Sequence, residues 1–525
     1  MNIEQKYSTL KNHQKVIYDK IQVSNKLNIC SPTGFGKGYI MMIDILNRIT
    51  NSDEKIIAIS THRLMLNTQH MNDIVTQLEP VFNDIKLIFV GSKEYKIKSI
   101  MKDIIRKSNI TEKELIKNVT SKKVLNELIE KYSDKKIVII TTYHSLDKLK
   151  DVNINTLYCD EAHMLATALD SDSDKTFRKN FEMLKYNNCY FFTATPKDCV
   201  DEKTDDFLMN NEDVFGERIG ITIKEAILGS YIPKPIIHLA IPTNYTKTDM
   251  DNIDNIVTFI VDSYKVHSEM VIKESFKPEF IAPKLLIRCK NVDQMWSLNE
   301  RLIGLIPNVK IFAGASRKEN GGEEYEIDGV IVTKDKHLEE LQSMSNTDKL
   351  IALHVDTLSE GINVPGFTGV MFLSDTPTTI MKLLQNIGRG TRLHEKDRNM
   401  INDGYINSSD YSKWIKPYTF IILPIYNVDS EETQKHIATT LFNLRDKGVE
   451  SVYRISIGSD ISKSDELNVP MNRNNNERNP MKKIVGDIEH RIEDLTNIAK
   501  ENEENEILAS LVGLDKKLNY LKTLY

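Results

Sequence analysis

Ser31-Pro32-Thr33-Gly34-Phe35-Gly36-Lys37-Gly38 lies between an apolar run, Leu27 to Cys30, and a second apolar segment, Tyr39 to Leu46. The pattern is that of a strand, a glycine-rich turn and a helix. At the start of such a helix the unpaired N–H groups and the positive end of the dipole favour an anion, and Lys37 adds a charge suited to β/γ-phosphates. Pro32, Thr33, Gly34, Phe35, Gly36, Lys37 and Gly38 are therefore the candidate residues of a nucleotide cradle. The last position is irregular. A phosphate loop ordinarily ends in Ser or Thr, whose hydroxyl helps to hold Mg²⁺, and Gly38 has no side-chain oxygen. A Gly-rich turn is also an ordinary connection, so the partners found elsewhere in the chain decide between the two readings.

Upstream, Leu10 to Ile21 has the spacing of a short amphipathic helix with His13 and Gln14 near its start. The Gln14 amide has the paired donor and acceptor needed for an adenine edge; the alternative is a solvated surface residue. Downstream, three apolar runs each end in a polar turn. Lys55 to Ser60 leads into Thr61-His62-Arg63-Leu64, Ile85 to Val90 into Gly91-Ser92, and Lys136 to Ile140 into Thr141-Thr142-Tyr143-His144-Ser145. In an open parallel sheet, ligand sites collect at the carboxyl ends of the strands. His62, Arg63, Gly91 and Thr142 are thus candidates for the phosphates of a nucleic-acid backbone, for which small hydroxyl donors are suited. Between Lys93 and Lys136 there are 13 Lys/Arg against 7 Asp/Glu, the best local basic patch; a solvated helical face explains it equally well.

The run Leu157-Tyr158-Cys159 then meets Asp160-Glu161-Ala162-His163, about 120 residues after the phosphate loop. A carboxylate at a strand tip suits Mg²⁺ on the β/γ-phosphates, which gives Asp160 the metal role. Glu161 is placed to polarise an attacking water. His163 is expected to couple this pair to neighbouring polar groups. Cys189 to Phe192 runs into Thr193-Ala194-Thr195-Pro196, where Thr193 and Thr195 are candidates for linking the nucleotide site to the substrate groove. This ordered set resembles the first motor domain of superfamily 2 helicases and translocases of the DEAH-box kind. Phe215-Gly216 and Lys224-Glu225-Ala226-Ile227 look like the exit from that domain in relatives of restriction-enzyme motors and of many viral and phage helicases.

The second half of the chain supports the resemblance. Leu285 to Lys290 is a strand ending in basic residues, with Arg288 a nucleic-acid candidate. In Asp356-Thr357-Leu358-Ser359-Glu360-Gly361-Ile362-Asn363-Val364-Pro365 the resemblance implies backbone contact by Thr357 and nucleotide contact by Gly361 and Asn363, with Asn363 replacing the usual Asp. In Gln385-Asn386-Ile387-Gly388-Arg389-Gly390-Thr391-Arg392 it assigns sensor and arginine-finger roles to Gln385, Arg389 and Arg392; arginines three apart share one helical face. The likeness spans roughly residues 10 to 395. It implies two tandem RecA-like parallel α/β motor domains, residues 1–233 and 281–426, joined by a crossover at 234–280. The Gly-Gly-Glu-Glu region near 320–324 reads as an exposed loop. A largely helical extension, 427–525, carries apolar residues at helical spacing from Ile484 to Ile498. Its Met481 to Tyr525 segment has 7 basic and 9 acidic residues, so it is not a nucleic-acid arm; it packs on the body or meets a protein partner.

The whole chain, 525 residues with net charge −6, excludes a generally basic coat. No apolar run approaches the roughly 18 residues of a membrane span, and the expected location is intracellular, in the host cytoplasm if the protein is viral. The Ile/Asn/Lys-rich composition suggests an AT-rich genome, as in a phage or large DNA virus. Five cysteines without CxxC spacing read as buried thiols. The expectation is an ATP- and Mg²⁺-dependent helicase or translocase on DNA, with no membrane partner. An RNA-directed motor shares every catalytic residue, and Gly38 and Asn363 also fit a nucleotide-dependent clamp with little turnover.

Overall fold

The computed structural model describes residues 3–62, 64–91, 99–166, 176–198, 207–241, 252–316, 323–355, 366–373, 392–406, 410–424, 452–457, 460–461 and 467–468. The chain divides into two compact units, Met1–Thr222 and Ile223–Tyr525.

In the first unit the strands are β1 (Lys26–Cys30), β2 (Ile56–Thr61), β3 (Ile85–Val90), β4 (Ile116–Val119), β5 (Lys136–Thr142), β6 (Asn153–Asp160), β7 (Lys185–Thr193) and β8 (Glu217–Gly220). They form one sheet in the order β4-β3-β5-β2-β6-β7-β1-β8. Every neighbouring pair is parallel. Helices cover both faces of such a sheet, which is why Ile56 to Ile59 and Ile137 to Ile140 are uninterrupted apolar runs rather than alternating ones. On one face Leu157, Cys159, Phe191 and Phe215 pack together. On the other lies the helix Lys37–Asn51, with Ile40, Met41, Ile43 and Ile45 buried.

That helix is fixed to the sheet by a buried polar network. Arg48 donates from Nε to Asp44 Oδ2 (2.9 Å), from Nη1 to Glu54 Oε1 (2.5 Å) and Thr156 Oγ1 (3.0 Å), and from Nη2 to the Tyr190 hydroxyl (2.8 Å). Tyr158 also donates to Asp44, and Gln22 Nε2 reaches Asp44 Oδ1 at 2.7 Å. One guanidinium therefore holds the phosphate-loop helix against β6 and β7.

The second unit has β9 (Lys234–Ile241), β10 (Lys284–Arg288), β11 (Val309–Ser316), β12 (Glu323–Ile327), β13 (Val330–Val332), β14 (Lys349–His354), β15 (Gly369–Phe372), β16 (Tyr418–Pro424), β17 (Val452–Ile457) and β18 (Asp460–Ile461). Their order is β13-β12-β11-β14-β10-β15-β16-β9-β17-β18. The centre, β11 to β17, is parallel, and the margins are antiparallel. Leu285, Ile287, Ile351, Leu353, Met371 and Ile422 form its core beneath the helix Ile253–Glu274, which contributes Val257, Ile260 and Tyr264. These are two tandem RecA-like domains.

Two sequence expectations are corrected. The segment 234–280 is not merely a crossover. Its first strand, β9, is a fully paired member of the second sheet, because Ile236 to Ile241 are buried and their backbone groups bond to β16 and β17 on either side. The Gly-Gly-Glu-Glu region is not all loop, since Glu323 begins β12 and pairs with Ser316. In the extension 427–525, the described residues are strands, and β17 joins β9. The helices expected between 430 and 525 lie outside the described residues.

Arg48→Met leaves Asp44 buried without its cation and is expected to cost about 3–5 kcal/mol. The fall appears as a lower urea midpoint of the full-length protein. Replacing both partners, Asp44→Leu with Arg48→Met, is expected to cost less, because no uncompensated charge remains.

Candidate nucleotide site and strand-end turns

The register of the first sheet brings several strand ends to one level. Cys30 lies opposite Thr193, Asp160 opposite Phe192, Ser60 opposite Cys159, Thr61 opposite Thr142 and Val90 opposite Thr141. The turn after β1 is tied to this edge by the Ser31 N–H, which donates to the Thr193 carbonyl at 3.1 Å.

Within the turn Gly34 and Gly36 have φ of 87° and 93°. Gly36 caps the following helix in the left-handed region, and a Cβ built there would sit 2.4 Å from Gln14 Nε2. Only glycine fits both the backbone and the space. Lys37 Nζ donates to the carbonyls of Ser31 (2.6 Å) and Pro32 (3.1 Å), which keeps the ammonium over the loop. Pro32 and Phe35 are buried, while Thr33 and Gly38 are half-buried. Gly38 is the second residue of the helix, and a Cβ there would meet nothing within 4 Å.

Gln14 is not a solvated residue. It is buried, with Nε2 donating to the Phe35 carbonyl (2.9 Å) and Oε1 accepting from Lys11 N–H (2.9 Å). Its amide fixes the phosphate loop to the preceding helix Asn12–Val23. The His13 ring packs on Phe35 with centroids 4.3 Å apart, and burial, with Lys11 nearby, pushes its pKa down to about 3.

At the tip of β6, Asp160 Oδ2 lies 2.9 Å from His70 Nε2. Burial opposes the Asp160 charge, but the hydrogen bond and charge of His70, with Lys37 further away, outweigh it; the carboxyl is held below the ordinary range. Burial likewise opposes protonation of His70, and the bond to Asp160 overrides it, so His70 is raised. An ionised, partly accessible carboxylate at this edge fits a hard divalent cation such as Mg²⁺. Among the described residues no cluster of three or more His, Cys, Asp or Glu side chains makes a cage for a metal. A single carboxylate working with substrate phosphates needs none.

Glu161 sits at φ 52°, ψ 46°, the left-handed conformation that a non-glycine residue seldom adopts and that recurs at functional sites. Its Oε2 is 3.4 Å from His163 Nδ1. The same His163 nitrogen is 3.0 Å from Thr193 Oγ1 and 3.4 Å from Thr195 Oγ1, and Thr195 N–H donates to Thr193 Oγ1 at 3.1 Å. The structure thus brings Glu161, His163, Thr193 and Thr195 into one cluster beside Asp160.

The remaining candidates divide into three groups. His62, Gly91 and Thr142 stand at strand ends along the same edge but are themselves largely buried, and the Gly91 N–H is used by the Val119 carbonyl. Arg288, at the end of β10, is also buried, and Arg392 is half-buried with its carbonyl accepting from Lys416 Nζ at 2.8 Å. Arg63, Thr357, Gly361, Asn363, Gln385 and Arg389 lie outside the described residues. Two residues of the site escape sequence reasoning. Tyr143 donates from its hydroxyl to the Asp160 carbonyl at 2.7 Å, and its position directly after Thr142 was a usable signal. His70 had none, because six residues of helix separate it from the nearest polar turn.

The described cysteines are free thiols; Cys159, Cys189 and Cys289 are fully buried, and burial pushes Cys30 up to about 11. No helix among the described residues is long and apolar enough to cross a membrane. A cavity of about 470 Å³ opens at the opposite, amino-terminal edge of the first sheet, beside Lys26, Asn153, Phe181 and Lys185, away from these groups.

The first unit thus carries a glycine turn after β1 and an Asp-Glu pair at the β6 tip, at one edge of a parallel sheet. Residues 11–202 match the DEAD/DEAH box helicase family, and the first unit is a domain of that kind. The fold of the chain is similar to that of an "ATP-dependent Type ISP restriction-modification enzyme LlaBIII bound to DNA", at TM-score 0.58 and 15% identity over 87% of this chain and 32% of that one. It is also similar to a Mycobacterium smegmatis helicase, Lhr, bound to ssDNA and AMP-PNP, at 0.50 and 14% over 86% and 50%. A DEAD-box helicase bound to ssRNA and UDP-BeF gives 0.50 and 14% over 98% and 88%. The chain thus spans a third to a half of the first two. No curated protein sequence matches it.

Gly36→Ala is expected to abolish binding of a fluorescent ADP analogue, since the new methyl group displaces Gln14. Gly38→Thr has room for its side chain and is expected to strengthen Mg²⁺-dependent binding of the same analogue. Weaker binding would instead mean that water or Thr33 already occupies the hydroxyl position.

Proposed function

We propose that this protein is an ATP-dependent motor that moves along or unwinds nucleic acid, with DNA as its track. The observation that carries the reading is the joining of the Lys37 loop, Asp160, Glu161 and the His163-Thr193-Thr195 cluster at one sheet edge, level with the ends of β2, β3 and β5. Mg²⁺ bound with ATP supplies charge neutralisation on the β/γ-phosphates, and Asp160 is the residue to hold it. Lys37 exchanges its loop carbonyls for phosphate oxygens. Glu161 orients and polarises the attacking water, and His163 holds Glu161 on one side and the two threonines on the other. Gln385, Arg389 and Arg392 of the second unit are assigned to sensing and neutralising γ-phosphate charge. The preference for DNA rests on the wording of the Ser359 to Pro365 and Gln385 to Arg392 segments, which resembles that of DNA translocases.

Turnover by the full-length protein with single-stranded DNA, duplex DNA and RNA tests the track; stimulation by RNA alone overturns the DNA assignment. Glu161→Gln is expected to lower turnover by about 100-fold or more while leaving nucleotide binding intact. Equal activity in that variant removes Glu161 from its role. A protein that binds nucleotide yet hydrolyses none with any nucleic acid is the clamp, not the motor.

A further inference from the structure

We propose that His70 is the positioning residue for the Asp160 carboxylate. The inference rests on the reading of Asp160 as the metal-holding group and assigns a new residue to it. The two side chains are only 5% and 17% exposed, and Nε2 meets Oδ2 at 2.9 Å. His70 Nδ1 has no hydrogen-bond partner among the described residues, so the ring's one polar contact there is made to Asp160.

A carboxylate rotates broadly about its last torsion, with two equivalent oxygens. For Asp160 that freedom is removed from two directions. The Glu161 N–H and the His70 ring both bond its carboxylate, His70 at Oδ2. An ionised carboxyl offers about four lone-pair sites, so the bond to His70 leaves Oδ1 for the cation. Orienting partners of this kind are typically worth 10–100-fold in metal affinity. His70 reaches Asp160 from a helix, Leu64–Gln77, that belongs to neither the phosphate loop nor the Asp-Glu turn. The metal carboxylate is therefore aligned by an element whose first residues adjoin the strand-end turn at His62.

The test is a titration of Mg²⁺ into full-length protein with a fluorescent ADP analogue, alongside binding in EDTA. Asp160→Asn is expected to weaken the Mg²⁺ dependence. His70→Ala is expected to shift the half-saturating Mg²⁺ upward by about 10–100-fold with EDTA affinity unchanged. His70→Gln, which retains an N–H donor of similar reach, recovers most of the shift. Should His70→Ala fail to fold, His70→Asn, whose donor is too short to reach Asp160, takes its place. Wild-type Mg²⁺ dependence in either short variant overturns the proposal. An equal loss of affinity with and without Mg²⁺ also overturns it, since that marks a purely structural histidine. Wild-type Mg²⁺ dependence in Asp160→Asn overturns the metal reading itself, and His70 then has nothing to position.

Discussion

The site depends on a guanidinium some distance from it. Arg48 ties the helix of the phosphate loop to β6 and β7, the two strands that end in Asp160 and Thr193. Apolar packing alone holds a helix on a sheet but leaves it free to slide by small amounts, because dispersion and burial are not directional. Arg48 presents five donors in a fixed fork, and its partners stand on the helix, after the helix, and on both strands. That geometry admits one seating. The cost is desolvation of a cation and a carboxylate, Asp44, which is tolerated because each is satisfied by several hydrogen bonds. The return is a fixed separation between the Lys37 loop and the Asp160-Glu161 turn.

A second constraint is the parallel sheet itself. All eight strands of the first unit run the same way, so their carboxyl ends share an edge, and chemistry supplied by residues far apart in sequence collects there. Fine placement then comes from hydrogen bonds. Tyr143 and His70 hold Asp160, Gln14 holds the loop at Phe35, and His163 bridges Glu161 to the threonines. The left-handed backbone of Glu161 costs of order 1–3 kcal/mol and persists only because the surroundings impose it. A carboxylate one residue beyond a metal-type carboxylate on an extended strand would point to the opposite face. The turn at Glu161 breaks that alternation, so the two acids can serve one site.

Much of this was legible from sequence. The uninterrupted apolar runs marked buried parallel strands, and each polar turn behind them fell at a strand end. The positions of Lys37, Asp160 and Glu161 are signalled by local spacing because the loop and the strand tip are local structures. What failed to show was tertiary. Gln14 read as an amide for an adenine edge or as a solvated residue, because nothing in the helical pattern of Leu10 to Ile21 reveals that the loop folds back onto it. Lys234 to Ile241 looked like part of a linker because a strand that joins a sheet out of order has no local mark of its partner. His70 was silent for the same reason: its meaning is set by a strand ninety residues away.

Gly38 bears on the same constraint. A Cβ at Gly38 would meet open space. Steric necessity is therefore not the reason for glycine. On the proposed metal reading, the lack of a hydroxyl at that position would put a larger share of the metal's orientation on Asp160, and a carboxylate that carries more of the burden gains more from being held. The hydrogen bond from His70 holds that carboxylate from its side, and Tyr143 holds the Asp160 main chain. On the proposed reading of Asp160, the irregular residue and the unexpected histidine are two parts of one solution to holding a cation at the phosphates.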